Sequence, residues 1–239
     1  MATQYAFGKI VTNGLVLALD AADRNSYVSG STTWASLLGT YSGSLFQSCS
    51  FATGSPSAFV NNITSYQSQS AYLTLQPTLT FNDLDTYTLD FWVKMRSGVE
   101  ATFQSLVGRA SSNPWLPIRV YSSDGSSWAL TFREAGLGTY NDFTPVANYN
   151  IVNNWANISV TADASRNISF YLNGAFRQTL TVLTSSQMQI TRVMGGYQSG
   201  FNEYSLQGSM ASTKFYNRVL SATEITQNYN AQKSRFNLT

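Results

Sequence analysis

The sequence predicts an all-β fold, two antiparallel sheets packed as a sandwich, with one short helix close to the C-terminal end. Three observations predict it. Apolar and polar residues alternate with period two in run after run, the spacing that sends successive side chains to opposite faces of a strand. Turn residues separate these runs at the intervals usual for a sandwich or barrel. Helix signals are concentrated in a single stretch, residues 220–232.

The strands follow in order. Leu15, Leu17 and Leu19 alternate in GLVLALD, and Leu73 and Leu75 in AYLTL. In YTLDFWVKM, Tyr87, Leu89, Phe91, Val93 and Met95 share one face. Thr88, Asp90, Trp92 and Lys94 take the other, where Asp90 is expected to be a solvated strand residue. Ile118 and Val120 precede Asp124-Gly125, which turns the chain into Trp128, Leu130 and Phe132. Ile158 and Val160 lead into Ile168, Phe170 and Leu172, and Asn173-Gly174 is the strongest two-residue hairpin signal in the chain. Val182 and Ile190 mark two further strands, for ten to twelve in all, and Met210, Thr213 and Phe215 mark one ending near Asn217. The Ser/Asn-rich segments 41–70 and 110–127 read as loops, and Trp34, Trp92, Trp128 and Trp155 read as core.

The helix is specified by its start. Ser221 and Glu224 form an S-x-x-E capping box, in which each side chain satisfies an orphan backbone N–H of the other. Leu220 and Ile225 make the matching hydrophobic staple, and Ile225 and Tyr229, four apart, share one face. The helix is expected over Ala222–Gln232, as a lid on an end or edge of the sandwich. Residues 1–13 read as an N-terminal arm and 14–239 as one domain.

Composition narrows the function. Only 11% of the 239 residues are charged, against about 25% in an ordinary domain. Solubility then falls to Ser, Thr, Asn and Gln, a surface type common in extracellular and virion proteins. The net charge of +2 comes from scattered Lys and Arg, so no nucleic-acid footprint forms. Without histidine, Ser-His-Asp and Cys-His catalysis and imidazole metal ligation are excluded. Cys49 is the only cysteine and reads as a small buried apolar residue. The first residues, MATQYAFGKIVTNG, lack the charged head and apolar run of a signal peptide, and no run is long enough to span a bilayer. The expectation is synthesis in a host cytoplasm followed by assembly into a particle.

Three segments together resemble the concanavalin A-like jelly roll of the laminin-G-like family. YTLDFWVKMRSG (87–98) resembles its core strand, NNWANISVTADASRNISFYLNG (153–174) its central meander, and MGGYQSGFNEYSLQGSMASTKFYNRVLSATEI (194–225) its ending. The opening, GLVLALDAADRNSYVSGSTTWASLLG (14–39), and the finish, QNYNAQKSRF (227–236), resemble members carried by bacteriophage. The resemblance implies a jelly roll and a non-enzymatic virion surface protein, either a capsid decoration or a head- or tail-attached adhesion module. Its partners would be capsid or tail proteins of the same particle, in an oligomer if other such proteins are a guide. A lectin for host surface polysaccharide is the alternative.

Departures from the family pattern, Ala211 after Gly208-Ser-Met210 and Ser36-Leu-Leu-Gly39-Thr-Tyr in place of a polar run, argue against its calcium site. No cofactor is expected. Calcium wants six to eight oxygens with several carboxylates, and Asp83 with Asp85 is the nearest approach. Glycoside hydrolysis wants two facing carboxylates, whereas Glu100, Glu134, Glu203 and Glu224 stand alone. Asp90 would be the first residue to examine for catalysis. Candidate glycan or partner contacts are the loop aromatics Trp115, Tyr140, Tyr149, Tyr197 and Tyr204, with Asn113, Asp142 and Asn202 beside them in sequence.

Overall fold

The alternating runs pair into two antiparallel sheets of eight strands each. A computed structural model describes residues 9–47, 49–61, 71–82, 84–96, 103–109, 118–121, 129–133, 140–142, 151–181, 188–196 and 205–239. Its strands are β1 (Leu15–Asp20), β2 (Thr33–Ala35), β3 (Ser42–Gln47), β4 (Cys49–Ala52), β5 (Ala58–Asn61) and β6 (Ala71–Phe81). Next come β7 (Tyr87–Met95), β8 (Phe103–Gly108), β9 (Ile118–Tyr121), β10 (Ala129–Arg133) and β11 (Tyr140–Asp142). The last are β12 (Ala156–Ala162), β13 (Asn167–Leu172), β14 (Ala175–Thr181), β15 (Met188–Val193) and β16 (Gly208–Tyr216), before helix α1 (Ala222–Gln232) and a closing 3-10 turn, Lys233–Phe236.

One sheet runs β14-β13-β12-β7-β16-β5-β4, with β1 also paired to β16; the other runs β11-β10-β9-β8-β15-β6-β3-β2. The core lies between them. Leu89, Phe91, Val93 and Met95 of β7, with Ile158 and Val160 of β12, meet Leu73, Leu75, Ile118, Val120 and Ile190 of the opposite sheet. The hairpin at Asn173-Gly174 forms as its sequence requires, with φ of 52° and 75°. Gly174 has a second reason to be glycine: a Cβ there would sit 3.0 Å from Cβ of Tyr229 on α1.

The helix occupies the predicted span, and its capping box is complete. Leu220 and Ile225 join Val11, Tyr171 and Tyr216 in one apolar cluster. The helix does not sit on an end or edge. It lies across the outward face of the first sheet, where the Trp92 ring stacks on Phe236 at 3.8 Å and on Tyr229 at 5.8 Å. Residues of the N-terminal stretch run beside it: Val11 N donates to Asn228 Oδ1 (2.8 Å), and Tyr216 Oη donates to Val11 O (3.0 Å). A strand face open to water would give a strict buried–exposed alternation; β7 and β16 instead read as almost unbroken buried runs, because each is covered on both sides.

That cover overturns the expectation for Asp90. It is 1% exposed and Lys214, opposite it on β16, is 3% exposed, with Lys214 Nζ 2.9 Å from Asp90 Oδ1. Asp90 Oδ2 accepts from Asn157 Nδ2 (3.0 Å) and Ser159 Oγ (2.8 Å) of β12. Gln232 of α1 closes the network, its Oε1 accepting from Lys214 Nζ (2.6 Å) and Trp92 Nε1 (2.9 Å). Asp90 is a buried structural ion and no longer a candidate for catalysis.

Other expectations shift as well. The segment 41–70, read as loop, contains β3, β4 and β5, while β9 forms where Ile118 and Val120 marked a strand. β3 is rich in Ser and Gly, and pairing with β6 supplies what propensity lacks; β4 and β5 are four residues each and pair with one another. The described strands number sixteen among the described residues, more than the ten to twelve expected. Trp34 and Trp92 are fully buried, whereas Trp155 is half-buried beside Phe236; Trp128 and Val182 lie outside the described residues. Cys49 is partly buried against the core, its thiol pushed up to about 12 by desolvation.

Candidate functional site

At the end of the sandwich where β6 stops and β7 starts, eight residues line a cleft of about 400 Å³. They are Val16 of β1, Tyr41 just before β3, Leu79, Thr80 and Phe81 of β6, Asp85 and Thr86 of the connecting turn, and Asn217 just after β16. Local sequence explains how each is held. Leu79 and Phe81 point inward to the core, so Thr80 between them does not. The turn places Leu84 at φ 64°, and Asp85 Oδ2 accepts from Asn82 N (2.6 Å) and Asn82 Nδ2 (3.2 Å), which anchors the carboxylate. Asn217 is fixed where its N–H donates to Gly14 O (2.9 Å). Tyr41 is half-buried, packed against the core.

The described lining therefore joins two aromatic residues, apolar side chains, three hydroxyls, an amide and one carboxylate. That is the mix of apolar lining and a few placed polar groups used to hold a small ligand. Among the described lining residues Asp85 is the one carboxylate, whereas glycoside hydrolysis uses two facing each other across the bond. The other described acids whose side chains can be followed are engaged elsewhere. Asp20 pairs with Arg235 (2.7 Å). Asp23 accepts from Asn25 N (2.9 Å). Burial opposes ionisation of Asp163, but hydrogen bonds from Asn167 and Ser165 outweigh it and hold its carboxyl below the ordinary value. The Arg218 guanidinium, with help from Ser221, lowers Glu224 to about 2. No group of three or more His, Cys, Asp or Glu able to hold a metal occurs among the described residues.

A second polar surface lies on the outward face of the other sheet. Phe46 stacks on Tyr72 (4.6 Å, 12°), and the Arg192 guanidinium covers Tyr72 at 3.9 Å from its centroid and donates to its Oη (3.2 Å). Arg119 stands on the opposite side of β9 from Ile118 and Val120 and is fully buried. Phe46 is exposed, but Tyr72, Arg192 and Arg119 are not, so this surface presents one ring rather than a cavity.

The residues expected from sequence fall differently. Asn113, Trp115, Tyr149, Tyr197, Asn202 and Tyr204 lie outside the described residues, as does Asp83. Tyr140 and Asp142, read as loop residues, form the edge strand β11, whose register sets Asp142 opposite Thr131. Tyr41, Thr80, Thr86 and Asn217 were missed, and Asp85 was noticed only as a metal ligand. The NDLD turn was the one local signal; nothing local could join it to Tyr41 or Asn217.

With the geometry in place, comparison with known proteins identifies the family. The profile of the concanavalin A-like lectin/glucanases superfamily, in a laminin-G form, matches residues 67–226. The chain belongs to that superfamily. No curated protein matches it by sequence. Among solved structures, the binding domain of botulinum neurotoxin DC in complex with SialylT superposes at TM-score 0.62 and 14% identity, over 91% of this chain and 51% of that one. The receptor binding domain of botulinum neurotoxin D gives 0.64 and 12%, over 92% and 53%. A Trypanosoma rangeli sialidase mutant displaying trans-sialidase activity gives 0.61 and 12%, over 93% and 33%. The chain spans about half the length of the first two and a third of the sialidase, and at these identities the likeness is one of fold. This superfamily member is thus a lectin-like jelly roll whose similar structures include receptor-binding domains.

Proposed function

We propose that the chain is a non-enzymatic glycan-binding module, and that the cleft between Tyr41 and Asp85 is its binding site. The cleft carries the reading. A sugar presents an apolar ring face and a rim of hydroxyls, and the site offers the aromatic wall of Tyr41 with Thr80, Thr86, Asn217 and Asp85 around it. A single carboxylate among the described lining residues suits holding a glycan rather than cleaving one. Support comes also from the fold, shared with a binding domain solved in complex with SialylT.

The biological setting we propose is the surface of a bacteriophage particle, where the module would be a capsid decoration or a head- or tail-attached adhesion protein. The sequence resemblance to phage-borne members and the 11% charged composition support it. Mass spectrometry of purified particles tests the setting, and the protein's absence from them removes it. The binding site is tested separately, by screening the full chain on a glycan array and measuring hits by calorimetry. Tyr41→Ala is expected to weaken binding at least ten-fold; an array hit unaffected by Tyr41→Ala and Asp85→Asn would place the site elsewhere. Reducing-sugar release from a bound polysaccharide would overturn the non-enzymatic reading.

A further inference from the structure

We infer that the cleft takes an amino sugar bearing a free ammonium group in preference to its N-acetylated or carboxylated counterpart. This rests on the glycan-binding reading and adds the sign of the ligand's charge. Of the eight described lining residues only Asp85 is charged, and no Lys or Arg is among them. Its Oδ2 is committed to Asn82, while Oδ1 accepts no hydrogen bond from any described residue. The nearest guanidinium in sequence, Arg218 beside Asn217, is turned away: Nη1 donates to Glu224 Oε2 (3.0 Å) and Nε to Asn13 O (2.9 Å).

An anchored carboxylate with one open oxygen, in a cleft walled by Val16, Leu79, Phe81 and Tyr41, is a preorganised cation site. Asp85 is exposed, so an opposite charge gains there only what a partly screened ion pair supplies. Calcium is a poor occupant, because it wants several carboxylates among its oxygen ligands and the described lining supplies one. An amino sugar supplies a single positive charge on a ring carbon. Its ammonium can donate to Asp85 Oδ1 while the ring lies on Tyr41, whose π face also favours a cation. Thr80, Thr86 and Asn217 remain for the hydroxyls. A uronic or sialic acid would instead set carboxylate against carboxylate with no neighbouring cation, and like charges repel.

Calorimetry of the full chain tests this with three oligosaccharides of equal length: a glucosamine oligomer, its N-acetylated form and an oligogalacturonate, at a pH where the amine is charged. The glucosamine oligomer is expected to bind roughly three- to ten-fold tighter than the N-acetylated one, the gain a partly screened ion pair supplies. The gain should vanish at high salt. It should also vanish in Asp85→Asn, which keeps an oxygen to accept from Asn82 N–H and so retains the turn; a melting curve checks this. Equal affinity for the amine and acetamide forms, preference for the uronate, or an amine preference that survives Asp85→Asn would overturn the charge assignment alone. Binding of none of the three would remove the glycan reading of this cleft, and the inference with it.

Discussion

Asp90 and Asp85 lie at opposite ends of a single contrast. Both stand on or beside β7, and both are joined by an aromatic ring, an asparagine and hydroxyls. Around Asp90 every such group is turned on its neighbours. Lys214 neutralises it, Asn157 and Ser159 fill its second oxygen, and Phe236 takes the face of Trp92 that a ligand ring would use. Around Asp85 only Asn82 answers among the described residues, and Tyr41 lines a cleft. The two regions hold the same kinds of side chain. What separates a closed polar core from an open site is the C-terminal segment laid over one of them.

The contrast can be broken most severely at the covered region. Lys214→Met or Asp90→Asn strands a buried charge and should cost about 3–5 kcal/mol in urea unfolding. Replacing both together, as Asp90→Leu with Lys214→Met, should recover most of that loss, because no charge is then left without its partner. If the single substitutions cost less than about 1 kcal/mol, water reaches the pair and the cover is not closed.

Next in size is the cover itself. Phe236→Ala removes the ring stacked on Trp92 and should cost about 3 kcal/mol, the low end for a buried phenylalanine because the chain end can collapse. Tryptophan fluorescence should shift to the red as Trp92 meets water.

The helix start gives a smaller effect with a pH signature. Ser221→Ala should cost about 1 kcal/mol. The lowered carboxyl of Glu224 means its ion pair with Arg218 and its cap favour folding above the ordinary carboxyl value of 4.5. That contribution should fade as pH falls from there through about 2. The stability difference between the wild type and Glu224→Gln should therefore shrink over this window; a constant difference would mean the charge has no part in the cap.

The smallest effect is expected where the residue is open. Asp85→Asn, the same exchange that is costly at Asp90, should change stability by no more than about 0.5 kcal/mol while altering ligand preference. A large destabilisation there would mean that Asp85 is a structural residue and the cleft a by-product of its turn.

Much of this molecule could be read without coordinates, for reasons that are local. Period-two alternation located the inner faces of β7, β12 and β13, because a strand's side chains alternate whatever it later pairs with; in β1 it holds for Leu17 and Leu19, while a register shift before Leu17 sends Leu15 to the outer cluster. The Asn173-Gly174 hairpin and the Ser221–Glu224 cap are contained within a few residues, and both stand where they were expected. Tertiary contact decided the rest. The Ser- and Gly-rich β3 has little intrinsic preference, and β4 and β5 are only four residues each; they form because neighbouring strands complete their ladders. Asp90 looked solvated because alternation assigns a residue to a face without saying whether that face meets water; a helix from the far end of the sequence covers it. The cleft follows the same logic, since Val16, Tyr41, Asp85 and Asn217 become neighbours only when β1, β3, β7 and β16 reach one end of the sandwich. Chain-local chemistry can specify strands, turns and caps, but proximity between distant segments is a property of the packed fold.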